Sequence, residues 1–555
     1  MRSVLRSAAV LSLACVAAAQ QEVNLAPVTE KHLMVPMRDG TKLSMYLYFP
    51  EGKGPWPVLY EQRYSDVTVA SNRRSYAAMA MKGYVIAAQN FRGAQLSEGV
   101  YTGYRALSWG EQQDGYDTVM WLAKQSWSNR KIGTFGGSQA GYAQNFLAVT
   151  KPPNLVAQYM TDTGQSLFHL GYRRGGTTRR MAFQEARDPK DAISLNHAIF
   201  GHSVYDDYWK LEDPSRHWDK MDVPCFTLGS WYDFMNVGSI ESYVGRQHQG
   251  GPRSRSKQKL LIGPWLHGSS YRHTGPVGDL VYPENSAFPV RDHMIRWFDH
   301  YLKGIDNGVE REPVVRYYVM GAVGEGEKNA PGNVWREAPD WPVAARDTAY
   351  YLHGPASGTA GTLSAKTPAG PPSTTYSSDP AHPAPIPGRA FPGAKDARDF
   401  DNHADVRTFT TEPLKEPEEW TGKVRAELFV SSTAPDSDFI VRVTDVYPDG
   451  RSILIIDGIR RARFRDSWER EVFMKPGEVY KVAFDVGYLS QVFNRGHRIR
   501  ISVGSTGAPF YDPNPQAGGV VTYEAPAKVQ VATQTLHHKG AQASRIIAPV
   551  YTARK

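Results

Sequence analysis

A serine, an aspartate and a histidine, each placed where a buried strand would end, carry the chemistry legible in this 555-residue chain. Ser138 lies in Lys131-Ile-Gly-Thr-Phe-Gly-Gly-Ser-Gln-Ala-Gly-Tyr142, an apolar run and a turn of small residues followed by a helix start near Gln139. That is the setting of a nucleophile elbow, where a strained serine backbone lifts Oγ off the carboxyl edge of a sheet. Gly136 and Gly141 flank it as G-x-S-x-x-G, one residue longer than the usual G-x-S-x-G, and small neighbours let helix and strand approach closely. A capping serine at a strand-to-helix turn has the same local look. The partners separate the two readings. Thr227-Leu-Gly-Ser-Trp-Tyr-Asp233 and Leu261-Ile-Gly-Pro-Trp-Leu-His267 are apolar runs that pass through Gly and Trp to one ionisable residue, in the order Ser, Asp, His that an elbow serine requires. His267 then takes the Ser138 proton and returns it to the leaving group, while Asp233 holds the imidazole tautomer. The bland alternative makes Asp233 a helix cap and His267 a loop residue.

An acyl-transfer site also needs donors for the developing oxyanion. The backbone N–H of Gln139, at a helix N-terminus, supplies one. The second is expected in the loop after the strand PVLYEQ, which carries Gln62-Arg63-Tyr64-Ser65-Asp66. A Tyr64 hydroxyl can donate there, and by position alone Tyr64 serves equally as a pocket wall. Phe168, Trp231 and Trp265 are candidate pocket residues. No metal site and no cofactor motif is read from the chain.

The strands and helices around these residues are legible from pattern. Leu33, Val35, Met37, then Arg38-Asp39-Gly40, then Leu43, Met45, Leu47 read as a hairpin with a D-G turn. Apolar runs at PVLYEQ, YVIAAQ, KIGTFG, VPCFTLG and KLLIG alternate with helical stretches such as DGYDTVMWLAKQ and HMIRWFDHYLKG, predicting a largely parallel sheet covered on both faces. Residues 152–222 lack long apolar runs and read as a helical cap, whose Phe168, Tyr172, Phe200, Tyr205 and Trp209 are candidate substrate walls. After Trp341 come a Pro/Gly/Ser/Ala-rich stretch and short alternating strands from VRAELFVSS to HRIRISVGS, predicting an all-β sandwich or jelly roll, with the proline-rich stretch forming its loops. The expected fold class is α/β: an α/β-hydrolase domain in two parts (20–151 and 223–340), the cap between them, and a C-terminal all-β jelly-roll domain over 341–555.

Bulk composition narrows the function class. Hydrophobic content of 41% and 13 tryptophans mark a folded chain too long for a single core. Residues 1–19 read as a secretory signal, with a basic start, AAVLSLACVAAA, and Ala17-Ala18-Ala19 before the cut. The expectation is a secreted or periplasmic protein with no membrane span. Cys15 is a weak candidate for lipid attachment, since Ser12 stands where a leucine belongs. The remaining cysteine, Cys225, sits in an apolar strand run and reads as buried rather than nucleophilic. A formal charge of +8, without a dense Lys/Arg cluster, gives no case for nucleic-acid binding.

The chain resembles the family that joins X-prolyl dipeptidyl-peptidases, cocaine esterase, α-amino-acid ester hydrolases and glutaryl cephalosporin acylases. The matching features are the RDG hairpin, Arg63-Tyr64, FRG with SEG at 91–99, EQQDGYDTVMWLAKQSWSNRKIG before the elbow, GSWYD, GPWLHG, and APDSDFIVRVTDVYPDG through NRGHRIRISVGS to ATQTLHH. The longer elbow spacing also belongs to it. The resemblance implies the triad Ser138, Asp233 and His267, with Tyr64 giving the side-chain half and Gln139 the backbone half of the oxyanion hole. One departure narrows the substrate. Met235 and Asn236 follow Asp233, and Gln165 stands near the other position where amino-acid ester hydrolases hold the substrate ammonium with acids. NFRGAQL lacks the second arginine of the family's common RGRG form. The expected function is an exported serine hydrolase of small-molecule esters, with amides second; an acylase or X-prolyl dipeptidyl-peptidase shares the triad. A reading of another class, a carbohydrate- or surface-binding protein with a degenerate hydrolase domain, is opposed by the intact set of four side chains.

Overall fold

The computed structural model describes residues 23–177, 186–268, 275–325, 330–355, 358–387, 391, 393–519 and 528–552; residues 1–19, read above as a secretory signal, and Cys15 lie outside them. Ten strands form the first sheet: β1 (Thr29–Pro36), β2 (Lys42–Phe49), β3 (Trp56–Arg63), β4 (Val85–Asn90), β5 (Ser128–Gly137), β6 (Leu155–Thr161), β7 (Cys225–Tyr232), β8 (Gln258–Leu266), β9 (Val315–Val319) and β10 (Val334–Ala338). Their order is β1-β2-β4-β3-β5-β6-β7-β8-β9-β10, parallel from β4 to β9 with antiparallel strands at both edges. The predicted hairpin is β1–β2, turning at Gly40 with φ 84°.

Strands buried on both faces need helices above and below. On one side α1 (Ala70–Ala80) sets Tyr76 and Met79 against the sheet. Over the other side α2 (Asp114–Lys124) and α3 (Gln139–Thr150) contribute Val119, Leu122, Leu147 and Ala148. Two helices of the 152–222 region come next, α4 (Pro189–Gly201) and the four-residue α5 (Asp207–Lys210). They precede α6 (Asn236–Gln249) and α7 (Val290–Lys303), the latter joining α1 through Met294, Trp297 and Phe298. The FRG and RDG motifs are structural. Buried Arg92 bonds Asp39 of the hairpin turn at 2.7 Å and Asp114 of α2 at 2.6 Å, closing an ion pair that neither acid could form locally.

The cap reading needs one correction. Residues 155–161 are β6, a central strand of the sheet, and its polar Gln158 is buried because its amide bonds Thr134 Oγ1 and the Gln144 carbonyl. Beyond β6 the chain is irregular, with a π-helical turn at Leu167–Tyr172 before α4 and α5.

From Arg346 onward the described chain is built on strands, with short helical turns at Arg398–Asp401, Ala462–Phe464 and Gly540–Gln542. Glu418–Ser432 pairs along its length with Tyr480–Phe493, and Asp438–Val446 pairs with Ser452–Arg461. The proline-rich stretch carries strands Ala360–Ser364 and Ser373–Ser378 inside this unit, so it is no free linker. A single buried cluster runs from Trp231 and Tyr317 of the first sheet through Trp341 to Tyr488 and Val492, and Met320 exchanges backbone hydrogen bonds with Ser490 and Val492. The C-terminal unit therefore shares core with the strands that carry the site.

Candidate active site

Five neighbouring strands deliver polar residues to one carboxyl edge: Tyr64 after β3, Ser138 after β5, Asp162 after β6, Asp233 after β7 and His267 after β8. In open α/β sheets this edge is where ligands bind. Ser138 has φ 54° and ψ −116°, a conformation that costs a non-glycine residue of order 1–3 kcal/mol and persists only when the surroundings impose it. The surroundings do so. Its N–H donates to the carbonyls of Thr161 and Asp162 at 3.0 and 3.1 Å, and its own carbonyl starts α3 by accepting from Tyr142. Gly136 has φ 118°, and a Cβ there would sit 2.6 Å from Glu61 Oε1; one on Gly141 would meet the Thr163 side chain at 2.5 Å. The flanking glycines are thus required by close approach.

His267 Nδ1 lies 2.9 Å from Asp233 Oδ1, which also accepts the Met235 N–H at 3.0 Å. The Asp233 carboxylate is buried while His267 is 28% exposed, leaving the imidazole reachable from a cavity of about 370 Å³ that Ser138, His267 and Asp162 line together. Helices α1 and α7 add Asn72, Tyr76, Met79, Arg291 and Met294 to its lining.

Gln139 does more than present a backbone N–H. Its side-chain oxygen accepts from the backbone N–H groups of Tyr64 and Ser65 at 2.9 and 3.0 Å, and its Nε2 donates to Ser65 Oγ at 2.9 Å. The loop after β3 is thereby tied to the first residue of α3. The half-buried Tyr64 ring packs edge-on against Phe91 and Tyr104.

Asp162 is the site residue that sequence reasoning misses. Its Oδ1 accepts from Ser230 Oγ at 2.7 Å and its Oδ2 from the Gly268 N–H at 2.9 Å. Burial and then the like charge of Asp233 push its carboxyl up to about 7, against the pull of His267, the Ser230 hydroxyl and the Gly268 N–H. The available signal is an ionisable residue two positions before Gly164 at a strand end, hidden because a polar glutamine disguises the strand itself. Among the described residues, Asp162, Asp233 and His267 form the group close enough to share a cation, their ligand atoms lying within 4.8 Å of one another. Hydrogen bonds already engage His267 Nδ1, Asp233 Oδ1 and both Asp162 oxygens.

The expected pocket aromatics lie elsewhere. Phe168 is fully buried against Tyr205, Trp209 and Trp468; Trp231 donates to the Tyr318 carbonyl and packs on Trp341; Trp265 donates to the Ser286 carbonyl beside Trp335. Tyr172, Phe200, Tyr205 and Trp209 are likewise buried. Large rings gain more from filling a core than from facing a wet cleft, and none of these lines the cavity beside Ser138. Cys225 is buried in β7, as expected. The cavity does hold acids, Glu61 and Asp162, but Glu61 accepts from Tyr76 OH and faces Arg63 at 3.6 Å.

Residues 39–190 and 180–269 match the family model described as X-Pro dipeptidyl-peptidase (S15 family), and residues 307–547 match the X-Pro dipeptidyl-peptidase C-terminal non-catalytic domain. The cocaine esterase of Rhodococcus sp. (strain MB1 Bresler) is 29% identical over 94% of this chain and 98% of its own length. The chain belongs to the X-prolyl dipeptidyl-peptidase and cocaine esterase family of serine hydrolases. Among solved structures, a selenomethionine-labelled α-amino acid ester hydrolase superposes with TM-score 0.81 at 24% identity, covering 98% of this chain and 100% of that one. An aminopeptidase from the marine sediment archaeon Thaumarchaeota archaeon gives TM-score 0.81 at 24% identity over 96% and 98% of the two chains. Both share the fold. Members of this family act on esters or peptides, so hydrolysis at a carbonyl carbon is the activity common to the group.

Proposed function

We propose that this protein is an exported esterase that cleaves small carboxylic esters through an acyl-enzyme on Ser138. The observation that carries the reading is the left-handed Ser138 at the head of α3, sharing a cavity with an imidazole hydrogen-bonded to a buried carboxylate. In the first half-reaction Ser138 Oγ attacks the ester carbonyl as His267 Nε2 takes its proton. The carbonyl electrons move to oxygen, where the Gln139 N–H and the Tyr64 hydroxyl donate, and collapse expels the alkoxide with the proton returned by His267. Water, deprotonated by His267, then releases the acid. Asp233 holds the imidazole tautomer. Esters are placed before amides because the 29%-identical relative is named an esterase and two 25%-identical mycobacterial relatives are named putative serine esterases. Export rests on the leader-like residues 1–19. A panel of p-nitrophenyl esters and anilides of rising acyl size, with Gly-Pro and Ala-Pro anilides beside it, tests the assignment; faster turnover of the prolyl anilides would make the protein a peptidase.

Tyr64 and Gln139 give separable expectations. Tyr64→Phe keeps the ring but removes the donor, so it should cost about 2.7–4 kcal/mol in transition-state stabilisation, read as a hundredfold or larger fall in kcat with KM nearly unchanged. A pocket wall would tolerate Phe and shift KM when cut to Ala. Gln139→Ala preserves the backbone N–H but frees the Tyr64 loop, so kcat should fall by roughly 10- to 100-fold, a 1 Å misplacement being enough. Because Gln139 acts through Tyr64, the double variant should be scarcely slower than Tyr64→Phe alone; additive losses would place the two in independent roles.

A further inference from the structure

We propose that Asp162 is a second carboxylate serving His267, a positioning residue that ties the histidine loop to the nucleophile and keeps negative charge beside the imidazolium. The proposal rests on Ser138, Asp233 and His267 acting as the triad. Topology puts Asp162 there. It ends β6, the strand between the serine strand β5 and the aspartate strand β7. Its backbone carbonyl accepts the Ser138 N–H at 3.1 Å, while its side chain accepts the Gly268 N–H, one residue beyond His267, at 2.9 Å. One residue therefore touches main chain at both the nucleophile and the base. Asp162 adopts φ 46° to do so, strain of the kind that survives where neighbours over-determine a backbone.

A turn residue could manage that geometry as asparagine; the carboxylate adds charge. Ligand atoms of Asp162, Asp233 and His267 all lie within 4.8 Å of one another, so a proton arriving on His267 makes a cation that faces two carboxylates. Other polar and charged groups face this region among the described residues. Ser230 on β7 donates to Asp162. Glu61 and Arg63 from β3 line the same cavity as a pair, and Arg291 stands on α7. Arg174, at the start of the helical turn Arg174–Gly176, feels the charge of Asp233 and donates to the Asp457 carbonyl. Burial holds the Asp162 carboxyl at about 7, so its titration and that of the histidine belong to one coupled set.

The test uses the whole protein, p-nitrophenyl acetate, and rates expressed per site titrated by a serine-directed phosphonate. Asp162→Asn should lower kcat about tenfold with KM held within about twofold, and move the midpoint of the acidic limb of kcat/KM down by about one pH unit, because removing a negative charge at this range weakens proton binding by the cluster. Ser230→Ala keeps the carboxylate but removes a donor that favours its ionised form, so the same midpoint should move up. An Asp162→Asn enzyme with unaltered kcat and an unmoved limb overturns the proposal, whatever its thermal stability. Should that variant yield no titratable sites, Ser230→Ala decides, and a null or downward shift overturns it. Ser138→Ala, run alongside, keeps the two readings apart: if it is inactive while Asp162→Asn behaves as wild type, only the role of Asp162 falls.

Discussion

Ser138→Ala should lower ester turnover by about 10⁴- to 10⁶-fold while leaving the protein folded, since a triad without its nucleophile retains only what binding and the oxyanion donors provide. The side chain is small and the strained backbone is imposed by neighbours: the Ser138 N–H is held by Thr161 and Asp162, and its carbonyl starts α3. Alanine occupies that frame with no more strain than serine, so a large loss with an unchanged melting temperature points to chemistry. A serine-directed phosphonate should label wild type at Ser138 alone and leave the variant unlabelled. An alanine variant keeping a tenth of the activity would sink the elbow assignment and, with it, the acyl-enzyme.

His267→Ala should be nearly as damaging, on the order of 10⁴- to 10⁶-fold in kcat, because the same imidazole acts in both acylation and deacylation. The residue is 28% exposed and its ring is held by Asp233 and lies tilted against Phe234, so truncation opens space beside the cavity without uncovering a core. Free imidazole should then restore part of the activity by entering that space. Rescue separates a missing base from a collapsed site, since a misfolded enzyme gains nothing from added imidazole. Retention of a tenth of the activity without rescue would transfer the base role to another group.

Much of this site is legible in the one-dimensional chain because its parts are local patterns. An apolar run ending in Gly and Trp before one ionisable residue identifies Asp233 and His267, and small residues around a serine identify the elbow; each signal spans fewer than about a dozen residues and reflects strand burial or close backbone approach. The alternation of such runs with helical stretches also implies a parallel sheet covered on both faces.

Tertiary structure decided what depends on distant partners. Gln158 looks too polar for a core strand until Thr134 Oγ1 and the Gln144 carbonyl accept from its amide nitrogen, and without β6 Asp162 cannot be placed. The Gln139 side chain bonds residues 74 and 75 positions away, a pairing no local pattern encodes. The aromatics of the 152–222 region are equally suited to wall or core by composition, and only packing against Tyr142, Phe146 and Trp468 assigns them to the core. Residue type and spacing determined which groups could react, because reactivity and backbone strain are local properties. Which of those groups meet, and in what field, was left to the fold, since burial and hydrogen bonding are set by neighbours that the chain brings from far away.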